Sequence, residues 1–147
     1  MKAKSINGKS TEEVKSALEQ SMADGFKPTL AIVFISSKLD RTAIRNLLTD
    51  AGIAIFGATT NGQFTDENPE KFSVAILLLD MNPAYFSILF SGYPEKNYRA
   101  VSKALAEKAR QQFENPAFLI AGSNLETDAE ELLFGFEDAI GKHVNVF

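Results

Sequence analysis

The chain contains no cysteine and one histidine, His143. The first absence excludes disulfides, thiolate metal sites and a cysteine nucleophile. The second leaves no set of imidazoles and thiolates to hold zinc. It also makes His143 the imidazole that a Ser-His-Asp triad would have to use, and no serine stands in a nucleophile-elbow pattern. Long apolar runs are missing as well. The longest, Val74 to Leu79, is too short to span a bilayer. The opening residues, Met1 to Gly8, lack the apolar core of a signal peptide. Basic residues form no patch: 15 of them face 19 acidic residues, for a net charge of −4. Nucleic acid is therefore not an expected partner. The expectation is a cytoplasmic, non-enzymatic domain with no metal, no cofactor and no membrane insertion.

What is present is ordinary globular material. The 147 residues, 45% hydrophobic and 23% charged, suit one domain, residues 1–147. A chain of this size buries about two-thirds of its unfolded surface without staples.

Lys2 to Ile6 reads as a weak first strand, closed by Asn7-Gly8. Ser10 and Glu13 form a capping box, and Val14, Ala17, Leu18 and Met22 follow at helical spacing up to Gly25. Leu30 to Ile35 is apolar on both faces, as in a strand covered by helices on each side. Asp40 caps the next helix, with Ile44, Leu47, Leu48 and Ala51 inward, and Gly52 ends it. Ile53 to Phe56 is the following strand. Phe72 to Asp80 and Ala84 to Phe90, separated by Met81-Asn82-Pro83, read as an antiparallel hairpin. Tyr85, Phe86, Phe90 and Tyr93 then serve the core, or line a partner surface if the hairpin lies at an edge. A helix over about Lys96 to Phe113 has Tyr98, Val101, Leu105 and Ala109 on one face and stops at Asn115-Pro116. Ala117 to Ala121 is a further strand. Thr127 and Glu130 form a second capping box for a helix with Leu132, Leu133, Phe136 and Ile140 inward. Val144 to Phe147 begins a last strand. The fold class is α/β (α+β): a mixed sheet of six or seven strands, four helices packed on it, and one central antiparallel hairpin.

The halves resemble each other. Pro28 precedes Asp40 by 12 positions, and Pro116 precedes Asp128 by 12. The expectation from that spacing is an internal duplication; the alternative is that any two β-loop-α units look alike. The duplication pairs the strand at Ala54-Ile55-Phe56 with Asn145-Val146-Phe147, and puts a second glycine loop beyond Phe147. The expectation is a fragment of a longer domain.

The candidate site is Gly57-Ala58-Thr59-Thr60-Asn61-Gly62-Gln63. Loops at the carboxyl ends of α/β strands are where such folds keep their sites. Gly57 and Gly62 permit close backbone approach, and successive N–H groups make an anion nest. Thr59 and Thr60 add hydroxyls; Asn61 and Gln63 add amides. This set suits the carboxylate of an amino acid, with Asp66 or Glu67 for its ammonium; the alternative is a bland glycine turn. The spacing matches neither dinucleotide nor P-loop fingerprints. Asn7-Gly8 and Gly122-Ser123-Asn124 also lie at strand ends. Glu130-Glu131 reads as a solvated helix start.

Two blocks resemble a known family. Leu30 to Ile35 leads, through helix and strand, to Gly57-Ala58-Thr59-Thr60-Asn61-Gly62-Gln63, similar to that family's Gly-Cys-Thr/Ser-Thr-Ala-Gly-Glu. The strand ending Ala121-Gly122 is followed by Glu130-Glu131-Leu132-Leu133-Phe134-Gly135-Phe136. Together they resemble the N-terminal FIST domain of bacterial signal-transduction proteins. Ala58, Asn61 and Gln63 depart from the family's Cys, Ala and Glu. The resemblance implies sensing of a small polar ligand such as an amino acid. It also implies an output domain in cis or trans, and truncation on the C-terminal side. The other reading is a protein-interaction module built on the hairpin edge.

Overall fold

The computed structural model describes residues 1–60, 63, 64, 69, 70, 73–122 and 127–147. They fall into two compact units, Met1–Ile88 and Leu89–Phe147.

The first unit is a four-stranded mixed sheet with two helices. Its elements are β1 (Lys2–Gly8), α1 (Thr11–Met22), β2 (Leu30–Ser36), α2 (Arg41–Asp50), β3 (Ala54–Thr60) and β6 (Val74–Asp80). The short strands β4 (Gln63–Phe64) and β5 (Pro69–Glu70) pair antiparallel between them. The sheet order is β1-β6-β2-β3. Strand β6 runs antiparallel to both neighbours, whereas β2 and β3 are parallel.

Local chemistry explains the helices. The Ser10 hydroxyl accepts from the Glu13 N–H at 3.2 Å, and the Glu13 carboxylate accepts from the Lys9 N–H at 2.7 Å. Asp40 accepts from the N–H groups of Thr42 and Ala43 at 2.9 and 3.0 Å. Each cap satisfies donors that the first turn leaves open. Gly25 and Gly52 take φ of +84° and +74° just past the two helices, a region that glycine enters without penalty.

Strand alternation then sorts the side chains. Val14 and Leu18 of α1 and Ile44 and Leu48 of α2 pack on Ile6, Ala31, Val33, Ile35, Val74, Ile76 and Leu78. The helices therefore cover one face. Phe34 and Leu77 lie on the face that the helices of this unit leave uncovered.

The expected hairpin is placed differently. Pro83–Tyr85 is a 3-10 turn and residues 86–90 form no strand. The antiparallel partners of β6 are β1 and β2 instead. Asn82 caps the turn, accepting from the Ala84 N–H at 3.0 Å, and Pro83 cannot donate to a ladder. Tyr85 and Phe90 lie 75% and 94% exposed, so they do not serve the core.

The second unit contains α3 (Tyr98–Arg110), β7 (Ala117–Phe118), α4 (Ala129–Ile140) and β8 (Asn145–Val146), with β7 and β8 parallel. Its order β7-α4-β8 repeats the parallel β2-α2-β3 arrangement. The cap of α4 is Asp128, which accepts from the Glu131 N–H at 3.1 Å, one position after the expected Thr127. The Thr127 hydroxyl is instead 2.9 Å from the Tyr93 hydroxyl. Helix α3 buries Tyr98 and Ala109 as expected, together with Ser102 and Ala106, while the expected Val101 and Leu105 are half-buried. Small residues win because the two helices approach closely at Gly135, where a Cβ would overlap Ser102 Oγ and the Arg99 carbonyl and lie 2.9 Å from Lys103 N. Arg99 closes the crossing with a two-pronged pair to Asp138, at 2.7 and 2.9 Å. The rings of Phe118 and Phe136 meet at 4.6 Å, tilted by 44°. No helix among the described residues is long and apolar enough to cross a membrane.

Two outcomes test this packing. Alanine at position 135 gains about 1 kcal/mol in helix propensity but overpacks against backbone atoms, at about 1–3 kcal/mol. Gly135→Ala should lower stability in chemical denaturation. Gly92→Ala, which meets nothing within 4 Å, should stay within about 0.5 kcal/mol of the parent. The second test is pH. The Arg99 hydrogen bonds hold the Asp138 carboxyl below its ordinary range. A depressed carboxyl stabilises the fold above its unfolded pKa, about 3.9, and loses that contribution as pH falls through the folded value. Asp138→Asn should therefore flatten the acid limb of the stability profile below about pH 4.

Candidate functional site

Strand β3 is an edge strand, hydrogen-bonded only to β2 within its sheet. Seven consecutive rungs, Leu30↔Ala54 to Ser36↔Thr60, hold it. Gly57, Ala58, Thr59 and Thr60 are thus strand residues, where the sequence suggested a loop. The long apolar partner overrides the low strand propensity of a Gly-Ala pair.

Gly57 is demanded by contact. A Cβ there would overlap the Val33 carbonyl and come within 2.9 Å of Val33 N. Its φ lies outside the left-handed region, so close approach rather than backbone angle selects glycine. A pocket of about 250 Å³ borders Gly57 on the helix-bearing face.

One wall of the pocket is the sheet: Val33 and Ile35 of β2, and Ile55, Gly57, Ala58 and Thr59 of β3. The other is helix α2, through Arg41, Ile44, Arg45 and Leu48. Those four positions are spaced i, i+3, i+4, i+7, so they form one helical stripe. Ile44 and Leu48 are buried in the core and form the floor, while Arg41 and Arg45 are exposed. Arg45 Nη2 donates to Asn46 Oδ1 at 3.3 Å. Neither arginine has a carboxylate partner among the described residues. The carboxylate next to them, Asp40, is committed to its cap. No acid, histidine or lysine of the described residues lines the pocket.

Of the expected site residues, Gly57 and Thr59 line this pocket. Thr60 follows Thr59 in the strand and faces the opposite side of the sheet; it is half-buried. Gln63 opens β4. Asn61 and Gly62 lie outside the described residues, as do Asp66, Glu67, Ser123 and Asn124. Gly8 ends β1 beneath α1, where a Cβ would sit 2.8 Å from Val14 Cγ2. It is a packing glycine of the first unit, and Gly122 belongs to the second unit. His143 is exposed in the turn before β8. Among the described residues no three His, Asp or Glu side chains gather as metal ligands.

Sequence reasoning missed Arg41 and Arg45. One signal was available. Arg41 opens α2, and that helix has no acidic residue in its first turn. A cation there opposes the helix dipole. Local rules broken in this way often mark sites.

If close approach is what Gly57 provides, Gly57→Ala should cost about 1–3 kcal/mol, measured by thermal unfolding. Gly122→Ala, whose nearest contact would be an ordinary 3.4 Å to Thr127 Oγ1, should cost far less.

The FIST N domain family model matches residues 29–147. No curated protein and no solved structure matches the chain.

Proposed function

The chain belongs to the FIST N domain family, a family of sensory domains in signal transduction, and we propose that it senses a small polar molecule such as an amino acid, bound in the pocket beside Gly57 and Thr59. The observation that carries this reading is the pocket itself. A sequence stretch singled out for its glycine and hydroxyls borders about 250 Å³ of space. Concave sites with an apolar lining and a few convergent polar groups are the usual form of small-molecule sites. Here the polar groups are Thr59 and the two arginines, and the rest of the described lining is apolar.

The proposed role is recognition without turnover. Among the described residues the lining carries no general base, no general acid and no activated nucleophile. A binder of this kind acts by differential affinity. It favours whichever arrangement of the protein holds it better, and a signalling partner in cis or trans reads that arrangement. On this reading the protein is bacterial and works in the cytoplasm.

The test is a thermal-shift screen of the amino acids. A ligand at about ten times its Kd adds about 1.4 kcal/mol, which raises Tm by about 3–6 °C in a chain of this size. Thr59→Val should abolish the shift and Thr60→Val should leave it, since only Thr59 lines the pocket. No shift with any amino acid, or a shift indifferent to Thr59, would overturn the proposal.

A further inference from the structure

We infer that the pocket selects small carboxylates with an aliphatic body, the carboxylate held by Arg41 and Arg45 and the hydrocarbon lodged against Ile35, Ile44 and Ile55. This rests on the pocket being a ligand site and goes beyond it by naming the ligand class.

Charge gives the first reason. Arg41 and Arg45 stand one turn apart on the same stripe of α2 and both line the pocket. Two guanidiniums at i, i+4 repel each other. Neither is neutralised by a carboxylate among the described residues. The nearby positive charge includes the amino end of the helix, since Arg41 is its first residue. Asp40, the cap of that helix, places one negative charge there, its Oδ1 accepting from two backbone N–H groups, and against it the two arginines leave the helix start net positive. A planar fork of donors matches a carboxylate better than it matches any neutral group.

The remaining lining sets what the carboxylate is attached to. Aliphatic side chains from β2, β3 and α2 supply the rest, with Thr59 the one hydroxyl among them. A polar body would lose its water there for few hydrogen bonds. A hydrocarbon body gains from burial. Size narrows the class further. About 250 Å³ is room for a small molecule and too little for a large one. A ligand such as 4-methylpentanoate or leucine is of that class. The described lining holds no acid to pair with an ammonium, so the deaminated acid should bind at least as well as the amino acid of the same skeleton.

The experiment is calorimetric titration of the full chain with 4-methylpentanoate, leucine, serine and 4-methylpentan-1-ol. The acid should bind saturably, leucine no more tightly, and serine and the alcohol at least tenfold more weakly. Arg41→Gln and Arg45→Gln, both at exposed positions, should each weaken the acid by about tenfold or more, as expected when a charge-assisted hydrogen bond is lost. Raising the salt from 0.05 to 0.5 M should weaken it as well, because exposed charges are screened. Neither arginine variant should change Tm without ligand by more than a degree or two. Serine binding as tightly as the acid, or acid binding unmoved by either arginine variant, overturns the ligand class and leaves the sensing role intact. Failure of all four compounds together with every amino acid overturns both.

Discussion

Strand β6 pairs on both sides, with β1 over all of Val74–Asp80 and with β2 over Val74 to Leu79. Its inward residues Val74, Ile76 and Leu78 are 0, 1 and 0% exposed. Remove that strand and β1 has no neighbour in the sheet, while β2 keeps only β3. The core then loses its central row. The position of β2 matters for the pocket, because Val33 and Ile35 form part of its sheet wall and the β2 ladder fixes β3 beside them. The site is thus set by a strand that contributes no residue to its described lining.

The pocket shows how shape and charge arise from separate demands. Shape comes from the sheet: strands β2 and β3 approach so closely at Val33 and Gly57 that no side chain fits. Charge comes from the helix, whose stripe carries aliphatic residues where it meets the core and arginines where it leaves it. An amphipathic helix at a sheet edge produces such a gradient without special geometry. What is particular here is the placement of cations at the amino end, where the backbone already disfavours them.

Much of this was legible in the sequence, for local reasons. Ser10 and Asp40 announced their helices because a cap is settled within four residues. Gly25 and Gly52 marked helix ends because few other residues enter the left-handed region at low cost. The spacing from Pro28 to Asp40 and from Pro116 to Asp128 anticipated two β-α-β units of one design. The misses were tertiary. Whether Ala84 to Phe90 pairs with β6 depends on competition from β1, about seventy residues away in the chain, and β1 wins. Ser102 and Ala106 of α3 are buried more deeply than Val101 and Leu105 because Gly135 draws the helices together, which no pattern within α3 records. Within the site, Gly57 and Thr59 stood out by composition. Arg41 and Arg45 did not, and the fold is what sets them across from β3.

The central place of β6 has a consequence during synthesis. The rung of the β1–β6 ladder closest in sequence joins Gly8 to Val74. Ribosomes add about 5–20 residues per second, so β1 waits at least about three seconds for its partner. Through that interval a nascent chain carries β1 as an open strand edge, the kind that templates pairing with other chains. Strand β1 begins Lys2-Ala3-Lys4, and lysines on an open edge discourage such pairing. In the finished sheet Lys4 is given a fixed place, with its ammonium on the Ser21 carbonyl at 2.6 Å and on Asp24 at 2.8 Å. A residue that guards the unpaired strand against strangers thus becomes, after folding, a tie between β1 and the end of α1.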